Sequence, residues 1–341
     1  MPEPPAAPRQ RRPLGTTPRR KRRRRRRGRA LLRWLAGAAL LLALSTGGAL
    51  WLADDGRRPG TGAVPVPAPA AAVANAPPAA PQLLPGAVSL EGPDSFRLAF
   101  DKPPRAGLVF DLGSGRVLWR RRPLRRLPVA SLTKIMTALV VVDRASPRDQ
   151  ARITRAALRY SGSGVGLLPK GRHVSVESLL HGLLLVSGND AAIALADHVA
   201  GSERRFVRLM NARARALGLS CTSFVSAHGL ERGNRSCAAD LAAMARLAMA
   251  QRRIARVVRK RSADVRFPIK GGRLYLNTTN PLLRARFPGA IGLKTGYTEY
   301  AGRSFVGVVR RGRRRLGVVL LHSPDPARQA RKLIGTAFRK E

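Results

Sequence analysis

The stretch that decides the fold is PVASLTKIMTALVVVD, residues 128–143. Val129, Leu132, Ile135, Met136, Leu139 and Val140 recur at helical spacing, which predicts a buried helix. Ser131 and Lys134 stand three residues apart near its start, so a hydroxyl and an amine share one face. Apolar surroundings penalise a charged ammonium and favour the neutral amine. Two readings stand at this point. One is a helix-capping serine followed by a lysine that reaches out to water. The other is a nucleophile beside its base. The rest of the chain decides between them.

Downstream, VSVESLLHGLLLVSGNDAAIALADHVAG (174–201) reads as two helices joined at Ser187-Gly188-Asn189. Helical periodicity returns at 203–217 and 238–250, and a last amphipathic helix is predicted over 325–338. Upstream, AGLVFDLGSGRVLWR (106–120) reads as strand, Gly-Ser-Gly turn and strand. From residue 264 the texture changes to short β-like runs: DVRFPI, RLYLNTTN, AIGLKTGY, SFVGVVRR and RLGVVLLH. Strands at both ends around a helical middle predict an α+β domain with an antiparallel sheet.

The N-terminal third has a different character. Residues 1–29 are Pro- and Arg-rich, with KRRRRRRGR at 21–29, and are expected to form a disordered cytoplasmic tail. WLAGAALLLALSTGGALWLA runs from Trp34 to Ala53, 20 residues without a charge, long enough to cross a bilayer. Trp34 and Trp51 sit near its ends, and basic residues crowd its N-terminal side. Residues 30–53 are therefore expected to be a transmembrane signal anchor, with everything after it outside the cytoplasm. A cleaved signal peptide is the alternative, although its apolar region would be shorter. Residues 54–85 read as a Pro/Ala-rich linker, and 86–341 as the folded domain.

The 341-residue chain carries a formal net charge of +45. Residues 86–341 hold 48 Lys and Arg against 16 acids, so the excess is not confined to the tail. Such a surface favours anionic wall polymers or acidic lipid headgroups, or is simply a solvated basic surface. Outward topology and the lack of a recognition motif argue against nucleic acid. His173, His181, His198, His228 and His322 show no metal-ligand spacing, so no metal and no cofactor is expected. Cys221 and Cys237 flank a segment containing Gly229, Gly233 and Asn234; a loop could bring them together, and their pairing depends on compartment.

Beyond Ser131-Leu132-Thr133-Lys134 come Ser187-Gly188-Asn189 and, far downstream, Lys294-Thr295-Gly296. These are the three motifs of acyl-serine penicillin-recognising enzymes, in chain order. With the flanking segments ASLTKIMTALVVVD, LLHGLLLVSGNDAAIALAD, FVRLMNARARALGL, HGL (228–230), TTNPLL (278–283) and GLKTGYTEYAGRSFVGVV, residues 87–323 resemble the serine-type D-alanyl-D-alanine carboxypeptidases, the low-molecular-mass penicillin-binding proteins. The resemblance implies a β-lactamase/DD-peptidase-like fold, with an antiparallel five-stranded sheet flanked by helices and a helical subdomain. It also implies an enzyme that removes the terminal D-alanine from peptidoglycan stem peptides and is inhibited by β-lactams, tethered to the bacterial membrane with its catalytic domain outside.

The same resemblance supplies roles. Ser131 would be the acylated nucleophile, Lys134 its base and Ser187 the proton relay to the leaving amine. Asn189 would orient Lys134 and hold the substrate's backbone. Lys294 and Thr295 would grip the terminal carboxylate, and Gly296 would keep the strand edge bare for an extended peptide. The backbone N–H groups of Ser131 and Tyr297 would form the oxyanion hole.

Two related outcomes are weighed against this. A class A-like β-lactamase needs a glutamate between the second and third motifs to activate the deacylating water. Only Glu203 and Glu231 lie between Asn189 and Lys294, and neither has the expected surroundings. The β-lactam ester is therefore expected to persist. A non-catalytic wall-binding relative is disfavoured by three intact motifs. His228, near the family's cleft, reads as structural, with no base partner in sequence. Where relatives often carry a cysteine after the KTG segment, this chain has Ser304.

Overall fold

The computed structural model describes residues 86–340. The expected tail, membrane span and linker (1–29, 30–53 and 54–85) lie outside the described residues. Among the described residues, no helix is long and apolar enough to cross a membrane.

Five strands form the central sheet: β1 (Ala106–Asp111), β2 (Val117–Arg121), β3 (Ala290–Gly296), β4 (Ser304–Arg311) and β5 (Arg314–Leu321). Their order is β2-β1-β5-β4-β3, antiparallel throughout. The first and last parts of the chain thus meet at the β1–β5 pair, where Val109 lies opposite Val318. Side chains of β1, β4 and β5 alternate between two cores. Val109, Phe305, Leu316, Val318 and Leu320 pack with Leu333, Ile334 and Ala337 of the C-terminal helix, Pro326–Lys340. Leu108, Phe110, Val306, Val319 and Leu321 face the helical layer instead. With both faces covered, the strands read as nearly continuous apolar runs.

The helical layer contains α1 (Lys134–Arg144), α2 (Val176–Leu184), α3 (Asn189–Ala200), α4 (Glu203–Ala216) and α5 (Ala238–Ala250). Helix α1 is its centre: every residue from Lys134 to Val141 is buried, as expected of a helix that is surrounded on all sides. The α+β expectation and the five-stranded sheet are as the sequence implied. Two of the late β-like runs do not join that sheet. Ser262–Arg266 and Arg273–Asn277 pair with each other as a separate ribbon.

The opening segment differs in one consequential way. Ser131 does not sit in an α-helix; Ala130–Thr133 is a 3₁₀ turn, and α1 begins at Lys134. The chain enters that turn with Ala130 at φ 48°, a left-handed conformation that a non-glycine residue adopts at an energetic cost. Neighbouring backbone packs tightly around it. A Cβ on Gly229 would collide with the Ala130 carbonyl, and Gly229 itself has φ 92°. Cys221 and Cys237 form a disulfide, with Cα atoms 5.5 Å apart, that ties the turn after α4 to the residue preceding α5.

Candidate active site

Three separate segments converge on the Lys134 amine. Nζ lies 2.9 Å from Ser131 Oγ, 2.6 Å from Asn189 Oδ1 and 2.7 Å from the His228 carbonyl oxygen. Lys134 is fully buried, at 0% exposure. Burial first, and the neighbouring Lys294 cation second, hold its pKa well below the usual lysine range; Asp190 and Glu231 oppose them. A neutral amine has two N–H donors and one lone pair. Asn189 Oδ1 and the His228 carbonyl can take the two donors, which leaves the lone pair for the Ser131 hydroxyl.

Asn189 is the first residue of α3, and the preceding Ser187 turns the chain with φ 66°. The Asn189 amide is committed at both ends, with Oδ1 on Lys134 and Nδ2 donating to the Ser161 carbonyl at 2.6 Å. These two bonds fix the amide beside the lysine, and each of its ends keeps a second hydrogen-bonding position. Next to it, the buried Asp190 carboxylate accepts from Val165 N and Gly166 N, both at 2.9 Å. This holds the 161–166 loop, which carries Ser163 to the cleft wall.

The opposite wall is β3, an edge strand whose outer side meets no partner strand among the described residues. A Cβ on Gly296 would come within 2.9 Å of Val129 O and 3.2 Å of Ser131 N. Glycine is required there because strand and turn pack backbone to backbone. That reason differs from the expected one of baring an edge for peptide, and it brings the residue before Tyr297 against the Ser131 N–H. Tyr297 itself is 64% exposed.

The side chain of Lys294 is buried at 1% exposure, its ammonium donates to the Thr295 carbonyl at 2.8 Å, and burial pushes its pKa down to about 7. The cleft walls include Ser131, Ser187, Thr279, Thr295, Tyr297 and Arg303 around a volume of about 480 Å³, and Lys294 stands close enough behind them to act on Lys134.

Several site residues were given no role from the sequence. Thr279 Oγ1 lies 2.8 Å from Thr295 Oγ1, and the Thr279 N–H donates to the Leu185 carbonyl. The TTN segment was the only signal for it. His228 does have acidic partners: its Nε2 is 3.5 Å from Glu203 and 3.7 Å from Glu231. Glu203, at the start of α4, also accepts from Ala227 N at 2.9 Å, and Ala227 O accepts from Thr137 Oγ1 of α1 at 2.6 Å. The two glutamates thus brace the segment whose carbonyl holds Lys134. Neither lines the cleft. Burial lowers the His228 pKa, and the two glutamates work against it.

The family model for D-alanyl-D-alanine carboxypeptidases, peptidase S11, matches residues 103–325. The chain belongs to this family. The D-alanyl-D-alanine carboxypeptidase DacB2 of Mycobacterium tuberculosis is 39% identical over 225 residues, covering 65% of this chain and 76% of that protein. DacF of Bacillus subtilis, another D-alanyl-D-alanine carboxypeptidase, is 32% identical over 249 residues, covering 69% and 62%. Among solved structures, a D-alanyl-D-alanine carboxypeptidase from M. tuberculosis superposes with a TM-score of 0.67 at 36% identity, covering 71% of this chain and 94% of the other. A variant of a Streptomyces DD-transpeptidase gives 0.66 at 30% identity, covering 71% and 100%. As a member of the D-alanyl-D-alanine carboxypeptidases, this chain is a serine peptidase, and the penicillin-binding fold is the one described above.

Proposed function

We propose that the cleft removes the C-terminal D-alanine of peptidoglycan stem peptides through an ester on Ser131. The contact that carries the reading is the 2.9 Å approach of a buried amine to that hydroxyl. Lys134 takes the Ser131 proton as Oγ bonds to the carbonyl carbon of the penultimate residue. The tetrahedral oxyanion is met by the N–H groups of Ser131 and Tyr297. The C–N bond then breaks, and D-alanine leaves as the amine after receiving the proton by way of Ser187, which lines the same cleft. Water completes the cycle by hydrolysing the ester, releasing the shortened peptide and restoring the hydroxyl. The free edge of β3 offers the backbone groups along which an extended peptide can align. Among the described residues no acid lines the cleft to activate a deacylating water, which supports a long-lived penicillin ester and inhibition by β-lactams. The likeness to a DD-transpeptidase supports an amine acceptor as a second route for the same acyl-enzyme.

Location belongs to the same proposal. The uncharged residues 34–53, the arginines before them and a disulfide suited to an oxidising compartment all support a single-pass anchor with the catalytic domain outside the cytoplasm. The basic surface would then face anionic wall polymers or lipid headgroups. One experiment tests the chemistry: the chain is incubated with labelled penicillin, then with a peptide ending in D-Ala-D-Ala. Lasting label on Ser131 with D-alanine release is expected. Rapid loss of label would point to a β-lactamase, and no label at all to a binding protein without turnover.

A further inference from the structure

We propose that Glu203 is a positioning residue for the base: by holding the Ala227 amide and the His228 ring, it sets the His228 carbonyl against Lys134 and so aims the amine's lone pair at Ser131. The inference rests on the acyl-serine reading above. Glu203 is the first residue of α4, where an acid ordinarily serves the helix's own N-terminus. Here that end is capped by Ser202, whose Oγ accepts from the Arg205 N–H at 3.3 Å. The Glu203 carboxylate turns to a different segment. Its Oε1 accepts from the Ala227 N–H at 2.9 Å and stands 3.5 Å from His228 Nε2. One oxygen thus reaches the main chain of one residue and the ring of the next.

The ring's orientation follows from its other nitrogen. Nδ1 accepts from the Leu230 N–H at 3.3 Å, which puts the proton of a neutral imidazole on Nε2, facing Glu203. The Ala227 carbonyl is held as well, by Thr137 Oγ1 of α1 at 2.6 Å. With the Ala227 N–H tied to α4 and its carbonyl to α1, the next carbonyl, that of His228, is directed at Lys134 Nζ, 2.7 Å away. Ala227 is fully buried, so without an acceptor its N–H would be left unpaired or the segment would shift. A shift frees the Lys134 amine to rotate, and its lone pair then has directions other than Ser131 open to it. Glu231 shapes the loop from within: it lies three residues from His228, is 48% exposed, and its Oε2 accepts from Asn234 Nδ2 at 3.2 Å. Glu203 supplies a fixed point from another helix.

The test uses the full-length chain and labelled penicillin over a concentration series, which separates the saturating acylation rate from the concentration that gives half of it. Glu203→Ala is expected to lower the saturating rate about 10- to 100-fold and to change the half-saturating concentration by less than about threefold. Glu203→Gln keeps an oxygen for the Ala227 N–H and should recover most of the rate. Ser202→Ala weakens the start of the same helix without touching Ala227; its thermal midpoint should fall while its acylation rate stays within about threefold of the unaltered chain. Midpoints of all three variants are measured alongside, and rates are compared below the lowest of them. An undiminished saturating rate in Glu203→Ala, an equal loss in Glu203→Gln, or the same loss in Ser202→Ala would each overturn the inference and leave the enzyme reading intact. If the unaltered chain took up no label on Ser131, the acyl-serine reading itself would fall, and this inference with it.

Discussion

The two walls of the cleft each bury a lysine, and the two lysines are built differently. Lys134 meets oxygen atoms from three separate segments, one of them the nucleophile. Lys294, equally buried, donates to the carbonyl of its own neighbour, Thr295. Desolvation lowers both amines' pKa values, so low basicity alone does not make a catalytic base. What distinguishes Lys134 is a lone pair with one direction left to point, toward Ser131. The largest effect should come from removing that difference. Lys134→Met keeps the apolar stem and removes the amine, and is expected to slow acylation by labelled penicillin about 10³- to 10⁴-fold, with the thermal midpoint measured alongside. A loss below about tenfold would mean that some other group takes the Ser131 proton.

The contact between the walls is the next point to break. Gly296→Ala places a methyl group 2.9 Å from Val129 O and 3.2 Å from Ser131 N, backbone atoms that cannot rotate away. Strand β3 must then move off the 3₁₀ turn, which separates the two N–H groups assigned to the oxyanion. A displacement of about 1 Å is sufficient to cost about a hundredfold in the acylation rate constant. Penicillin-labelling kinetics within about threefold of the unaltered chain would show that the close packing of strand and turn has no catalytic consequence.

How much of this was legible in the sequence follows from the range of each interaction. Apolar periodicity located α1–α5 because burial imposes a local repeat, and the nearly continuous apolar runs of β4 and β5 are what a sheet covered on both faces leaves in a chain. The Ser131–Lys134 pair was visible because three residues suffice to define it. The 3₁₀ turn was not, since the left-handed Ala130 depends on Gly229, almost a hundred residues away, leaving room for its carbonyl. The bracing of His228 by Glu203 joins the start of α4 to a loop 25 positions later, and nothing local to either announces it. The substrate-facing role for Lys294 came from the family resemblance of its KTG motif, and no local pattern in the chain specifies how deeply the amine is buried. Its place on β3 turns it inward, beside Lys134.

The subtlest expected effect is a change in pH dependence, and it bears directly on the two-lysine comparison. Lys294→Met removes a cation that depresses the Lys134 pKa, so the Lys134 pKa should rise. Catalysis needs the neutral amine; the acid limb of kcat/KM should therefore move to higher pH, with the rate at a fixed pH below the plateau falling. Stability gives an independent readout with a sign of its own. Lys294 has a folded pKa of about 7 against 10.5 for the free side chain, so between those values the unfolded chain binds the extra proton. Stability must then rise as pH increases through that window, and the burial penalty is fully present below pH 7. In Lys294→Met that contribution disappears, so the difference in thermal midpoint between variant and parent should shrink from pH 7 toward 10.5. An acid limb that stayed in place would mean that the two amines do not sense one another. A midpoint difference that was flat across the window would mean that Lys294 keeps its ordinary basicity in the fold.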